Sequence, residues 1–169
     1  LSDSIDLAHL NCCPVEQRRE LFLAVCHSHR WASELAELAP YQSLEDLQDK
    51  GALAWSHCQE ADWKESLAGH PRIGEKATGS DLASRWSRGE QARAATPDEA
   101  IKQQLRARQA DYEEKFGFIF LICASGRSSQ EILAALEERM EQSPERELQT
   151  VADELAKIIH LRLEKLIRA

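Results

Sequence analysis

SPERELQTVADELAKIIHLRLEKL, residues 143–166, is the stretch whose reading decides the fold. Ser143-Pro144-Glu145 is a helix start: a hydroxyl that can cap, a proline that needs no N–H in a first turn, and an acid near the positive end of the peptide dipoles. Leu148, Val151, Ala152, Leu155, Ile158, Ile159, Leu163 and Leu166 then recur at three- and four-residue spacing, which predicts a long helix with one apolar face. No segment shows convincing period-two alternation, so a helix of this length calls for helical partners.

Those partners are legible upstream. Ser128-Ser129-Gln130-Glu131 reads as a capping box, followed by Ile132, Leu133, Leu136 and Met140. Thr96-Pro97-Asp98-Glu99 is the clearest start signal, and Ile101, Leu105, Tyr112 and Phe116 give its helix a stripe that Gly117 ends. Nearer the N-terminus, a short amphipathic piece at Ile5–Leu10 precedes Pro14, which can open a helix bearing Leu21, Phe22, Val25, Cys26 and His29. Trp31, Leu35 and Leu38 continue the apolar face after a continuation or break near His29, and Pro40 stops it. Ser43 caps the next helix, with Leu44, Leu47, Leu53 and Trp55 on its apolar side and Gly51 as a weak point. Trp63 and Leu67 mark another, with Gly69 where a C-terminal glycine belongs. Phe118–Ala124, FIFLICA, is continuously apolar but has no strand to pair with. It is expected to be a buried, irregular segment near 117–124, whose backbone N–H and C=O groups need partners, a bound polar ligand being one candidate. The prediction is all-α: a single-domain compact bundle of about seven to nine helices over residues 1–169.

The 169 residues carry a net charge of −8. That excludes nucleic acid as the main partner, because phosphate binding wants a basic face. No apolar run approaches the roughly 18 residues that span a bilayer, and no signal peptide is visible, so no membrane partner is expected. The five cysteines, 12, 13, 26, 58 and 123, include an adjacent pair and no CxxC; they read as reduced thiols, with Cys26 and Cys123 in the core. Cys26-His27-Ser28-His29 and His57-Cys58 lack metal-ligand spacing, so no metal is expected. An apolar setting would leave Cys123 inert as a nucleophile.

One constellation carries chemistry. His70-Pro71-Arg72-Ile73-Gly74 begins the longest non-periodic stretch, HPRIGEKATG. The helix predicted from the Ser80 cap, with Leu82, Ala83, Trp86 and Ala94 buried, projects Ser87, Glu90 and Gln91 from one face, since i, i+3 and i+4 are neighbours. Imidazole suits proton transfer near neutral pH. A carboxamide both donates and accepts, matching amide or ureido groups. Arg162 falls on the apolar stripe of the last helix. A buried arginine needs a partner, Glu90 or a substrate carboxylate; alternatively its stem lies along the stripe edge and its head reaches water. From the residues alone this is a helical protein with a small polar ligand site.

At these residues the sequence resembles the 2-oxo-4-hydroxy-4-carboxy-5-ureidoimidazoline (OHCU) decarboxylase family. The resemblance rests on the HPRIGEKA loop, the S-x-x-E-Q face, the FGFIFLICA-SGRS segment (Phe116–Ser128) and the H-L-R-L-x-K-L run (His160–Leu166), in matching order and spacing over nearly the whole chain. It implies an all-helical, homodimeric lyase without metal or organic cofactor, acting on a small ureidoimidazoline in the last step of urate breakdown, to (S)-allantoin. It implies His70 as the catalytic proton donor with Glu90 beside it. Pro71, Ser87, Arg88, Gly89, Glu90, Gln91, Phe120, Leu121, Ile122, Cys123 and Ala124 would line the substrate pocket. Arg162 would lie near the substrate's acid end or Glu90. The family's phenylalanine-proline is here Phe118-Ile119. The chain ends Ile167-Arg168-Ala169 without a peroxisomal address, so the expected location is cytoplasmic. A non-catalytic binding or interaction module, and a lyase or hydrolase acting on another ureido compound, are the alternatives.

Overall fold

Capping chemistry and apolar spacing set the helices. The computed structural model describes residues 4–75, 82–92 and 99–167, and among them the chain is all-α. Its helices are α1 (Leu7–Cys12), α2 (Val15–Cys26), α3 (His29–Glu37), α4 (Leu44–Ser56), α5 (Glu60–Ala68), α6 (Leu82–Ala92), α7 (Glu99–Phe116), α8 (Ser129–Arg139) and α9 (Pro144–Leu166). The expected caps at Ser80 and Thr96-Pro97-Asp98, and the buried position at Ala94, lie outside the described residues. No described helix is long and apolar enough to cross a membrane.

The residues cluster into two compact units, Leu1–Gly69 with Leu155–Ala169, and His70–Glu154. In the first, the chain breaks between α2 and α3: His27 takes a left-handed conformation (φ 59°) and the Ser28 side chain accepts from Trp31 N. Phe22 meets Trp31 and Tyr41 edge-to-face, each at 6.0 Å between ring centroids, with Val25, Leu35 and Leu47 fully buried in the same unit. α4 runs straight through Gly51. Trp31 Nε1 donates to its carbonyl (2.9 Å), and a Cβ there would stand 2.9 Å from Leu163 Cδ1. Gly51 therefore admits α9 rather than breaking α4. Gly69 caps α5 in a right-handed conformation (φ −81°), so the left-handed role that its position suggests is not the reason for it. A Cβ there would lie 2.3 Å from His27 Cγ; the glycine makes room for that ring.

In the second unit Leu105, Tyr112, Phe116, Phe120, Ile122, Ala124, Ile132 and Leu136 form the core. Gly117 closes α7, donating to Glu113 O (2.8 Å). Residues 117–124 form no strand, as expected for an apolar run without a pairing partner. The α8 capping box is present as predicted, Ser128 and Glu131 each serving the other's backbone. Pro144 is the first residue of α9.

Candidate active site

The turn after His70 carries an internal ion pair, Arg72 Nη1 to Glu75 Oε1 at 3.6 Å. Pro71 has no N–H, and within the turn Glu75 N donates to Arg72 O (3.1 Å). Gly74 sits at φ +85°, where a side chain would be strained. Side chains from two helices supply the remaining order. From α7, buried Gln109 accepts from Ile73 N (3.1 Å) and donates to Ile73 O (3.0 Å). One turn further on, Glu113 takes a fork from the Arg72 guanidinium, Nε at 2.6 Å and Nη2 at 2.8 Å. That hydrogen bonding, with the cation's charge, holds the Glu113 carboxyl below the usual range. From α6, Gln91 accepts from Gly74 N (2.9 Å) and donates to Arg72 O (3.2 Å).

This last pair of bonds brings the polar face of α6 against the turn. Ser87 is buried and Glu90 and Gln91 are half-buried, whereas Arg88 and Gly89 are exposed on the other side of the helix. The carboxamide expected to read an amide or ureido group reads the loop backbone in this structure. His70 and Pro71 are half-buried, and the Nε2 atom of His70 is inaccessible to solvent.

Phe120, Leu121, Ile122 and Ala124 are buried and Cys123 is half-buried. Two of the backbone groups that an irregular buried segment must satisfy are met by charged side chains. Arg139 Nη1 donates to Leu121 O (2.9 Å), and the Glu154 carboxylate accepts from Cys123 N (2.7 Å). Arg139 is itself paired with Glu147, Nε to Oε1 at 2.8 Å, and lies over the Phe120 ring at 4.6 Å. The Tyr112 hydroxyl donates to the same carboxylate oxygen. Burial first, then the bond to Glu147 and its charge, push the Tyr112 phenol well above its ordinary range. At these two positions, then, the partners are protein side chains rather than a ligand.

Arg162 is 0% exposed and donates from Nη1 to Val25 O (3.0 Å) within the first unit. The alternative of a head reaching water is thereby removed. In the same unit burial pushes the Cys26 thiol up to about 12 and the Cys58 thiol up to about 11, so both are inert at neutral pH. His29 pairs with Glu65 (2.7 Å) and His57 with Glu34 (2.5 Å), each a local surface pair.

Gln109, Glu113, Arg139, Glu147 and Glu154 were not among the site residues read from the sequence. Four of them carried a signal: Gln109 lies between Leu105 and Tyr112 on the α7 stripe, Arg139 three residues beyond Leu136, and Glu147 and Glu154 four before and three after Val151. Each is a polar residue on an apolar face, the same anomaly that marked Arg162.

Comparison with known proteins bears on the family to which the chain belongs. The sequence model of the family described as OHCU decarboxylase matches residues 11–164. The Arabidopsis thaliana uric acid degradation bifunctional protein TTL is 39% identical over 83% of this chain and 44% of its own length. The OHCU decarboxylase of Haloferax volcanii is 30% identical over 79% of each chain. A crystal structure of OHCU decarboxylase in the presence of (S)-allantoin superposes with a TM-score of 0.74 at 33% identity, covering 87% of this chain and 96% of that one. The chain spans less than two thirds of several of its curated relatives, 44% of the Arabidopsis protein and 58% of the Amia calva decarboxylase. With the family's pattern matched from residue 11 to residue 164, this chain belongs to the OHCU decarboxylase family.

Proposed function

We propose that the protein decarboxylates OHCU to (S)-allantoin without a cofactor, with His70 as general acid–base. The observation that carries this is the double hydrogen bond of Gln91 to Arg72 O and Gly74 N, in a chain of this family. It fastens the turn bearing His70 to the helix face bearing Ser87 and Glu90.

The chemistry asks little of the protein beyond placement. In the substrate, the carbon bearing the carboxylate also bears a hydroxyl and adjoins a ring C=N. The bond to the carboxylate breaks, its electron pair moves toward the C=N nitrogen, and CO2 leaves. The resulting enol becomes a carbonyl as the hydroxyl loses its proton, the ring carbon carrying the ureido group gains one, and the ring nitrogen that received the electron pair takes a proton from solvent. Orienting the carboxylate perpendicular to the π system lowers the barrier, because the breaking bond then overlaps the acceptor. His70 handles the hydroxyl proton or delivers the proton to carbon, with Glu90 fixing the imidazole tautomer. Delivery to one face gives the S product. By the same resemblance we place the enzyme in the cytoplasm as a homodimer.

The test generates OHCU in place from urate with the two upstream activities and follows optical rotation. Wild-type protein should produce (S)-allantoin faster than the spontaneous, racemic decay. His70→Ala should abolish that excess while the circular dichroism spectrum stays native. An unaccelerated wild type sinks the decarboxylase reading; an active His70→Ala removes the histidine from the mechanism.

A further inference from the structure

We infer that Gln109 is a positioning residue for His70, acting through the backbone of Ile73. The inference rests on the decarboxylase reading above and adds to it a residue outside the His70 turn and the α6 face.

Gln109 is only 3% exposed and its carboxamide is bound at both ends to one residue, Ile73 N at 3.1 Å and Ile73 O at 3.0 Å. It does for that residue what a neighbouring strand would do. Among side chains in their usual forms at neutral pH, only the amides of asparagine and glutamine hold a donor and an acceptor side by side on one plane without charge. The burial of Gln109 limits the access of competing water to the two bonds, although Ile73 itself is half-buried. Gln109 also stands on the face of α7 whose neighbours Leu105 and Tyr112 are core residues, so the turn is tied to the rigid side of the helix. Glu113, a helical turn away, grips the adjacent Arg72 through two bonds. Two grips on successive residues fix the tilt of the turn as well as its position. Between this anchor and the imidazole lie only Pro71, with its fixed φ, and Arg72. A shift of the Ile73 peptide is therefore passed to His70. Displacements of about 1 Å at a reacting group cost about 100-fold in rate.

The experiment compares wild type, Gln109→Leu and Gln109→Glu in the optical-rotation assay, from mildly acidic to mildly alkaline pH, each rate corrected for spontaneous decay. Gln109→Leu, which can make neither bond, should lose about 10- to 100-fold in kcat at every pH with KM little changed. Gln109→Glu keeps the shape. As a carboxylate it accepts from Ile73 N but turns lone pairs toward Ile73 O; protonated, it regains the donor. Its kcat deficit relative to wild type should therefore shrink as pH falls, and that of Gln109→Leu should not. If the leucine variant fails to fold, the pH response of the isosteric glutamate variant decides. Undiminished kcat in Gln109→Leu, a pH-flat deficit in Gln109→Glu, or losses that merely track the native fraction seen by near-ultraviolet circular dichroism each overturn the inference. Failure of the decarboxylase reading is separate, since it is seen in the wild type alone.

Discussion

Replacing Arg139 by methionine should be among the most damaging single changes to the second unit, and a further substitution should partly repair it. Arg139 is 6% exposed and Glu147 0%. Methionine fills much of the arginine's volume but leaves the Glu147 carboxylate buried with the Tyr112 hydroxyl as its remaining partner from this network. Removing one member of a buried ion pair costs about 3–5 kcal/mol. The Leu121 carbonyl, deprived of its donor, adds about 1–3 kcal/mol. The sum, about 4–8 kcal/mol, rivals the whole folding free energy of an ordinary domain, about 5–15 kcal/mol. Adding Glu147→Leu removes the stranded charge. What is left is two orphaned neutral groups, Leu121 O and the Tyr112 hydroxyl, at about 1–3 kcal/mol each. The double variant should thus be more stable than Arg139→Met by about 2 kcal/mol, a coupling that two independent sites would not show. Urea denaturation followed by circular dichroism measures it, with the slope of the transition checked for constancy. If the double variant is no more stable than the single one, the buried pair is not what holds the 120–124 segment, and the reasoning fails.

Two further outcomes follow from packing and burial. Gly69→Ala should destabilise the protein by about 1–3 kcal/mol, the usual range for overpacking, because its Cβ would collide with the His27 ring; adding His27→Gly should recover most of the loss in a thermal melt, and no recovery would mean that the glycine serves something else. Neither tyrosine in the chain should ionise near its ordinary pH, since burial first of all raises both Tyr41 and Tyr112. A folded-state pKa above the unfolded one stabilises fully below the unfolded value, near 10, and that contribution is lost as pH rises through the folded value. The phenolate absorbance should therefore appear only together with alkaline unfolding, and a phenolate signal in a protein still native by circular dichroism would contradict the burial.

Much of the fold could be read from residues because its signals are local. The Ser128–Glu131 capping box, Pro144 at the head of α9 and the glycine after Phe116 act within a turn of themselves, and all three stand where the sequence puts them. What a local signal leaves open, a distant partner decides. Gly51 reads as a weak point in α4 until Leu163 and Trp31 are seen against it. Gly69 looks like a left-handed cap until His27 is. The candidate site divides in the same way. His70 and the Ser87/Glu90/Gln91 face were visible as spacing, but the partner of the Gln91 amide was not, because a carboxamide accepts a loop as readily as a ligand. Gln109, Arg139, Glu147 and Glu154, which hold the turn and the apolar segment, lie on apolar stripes as Arg162 does. Periodicity shows that such a residue needs a partner, and only the tertiary structure shows which.

The division of α9 between the two units bears on how the chain is made. One unit is closed by residues 155–169, while the other, residues 70–154, is continuous. A ribosome delivers the continuous unit whole while the N-terminal helices still wait for their final piece. The usual order of synthesis, in which the N-terminal part folds first, is thereby inverted. During translation α1–α5 emerge with the surface meant for the end of α9 uncovered, and it is completed only once residues 155–166 have followed.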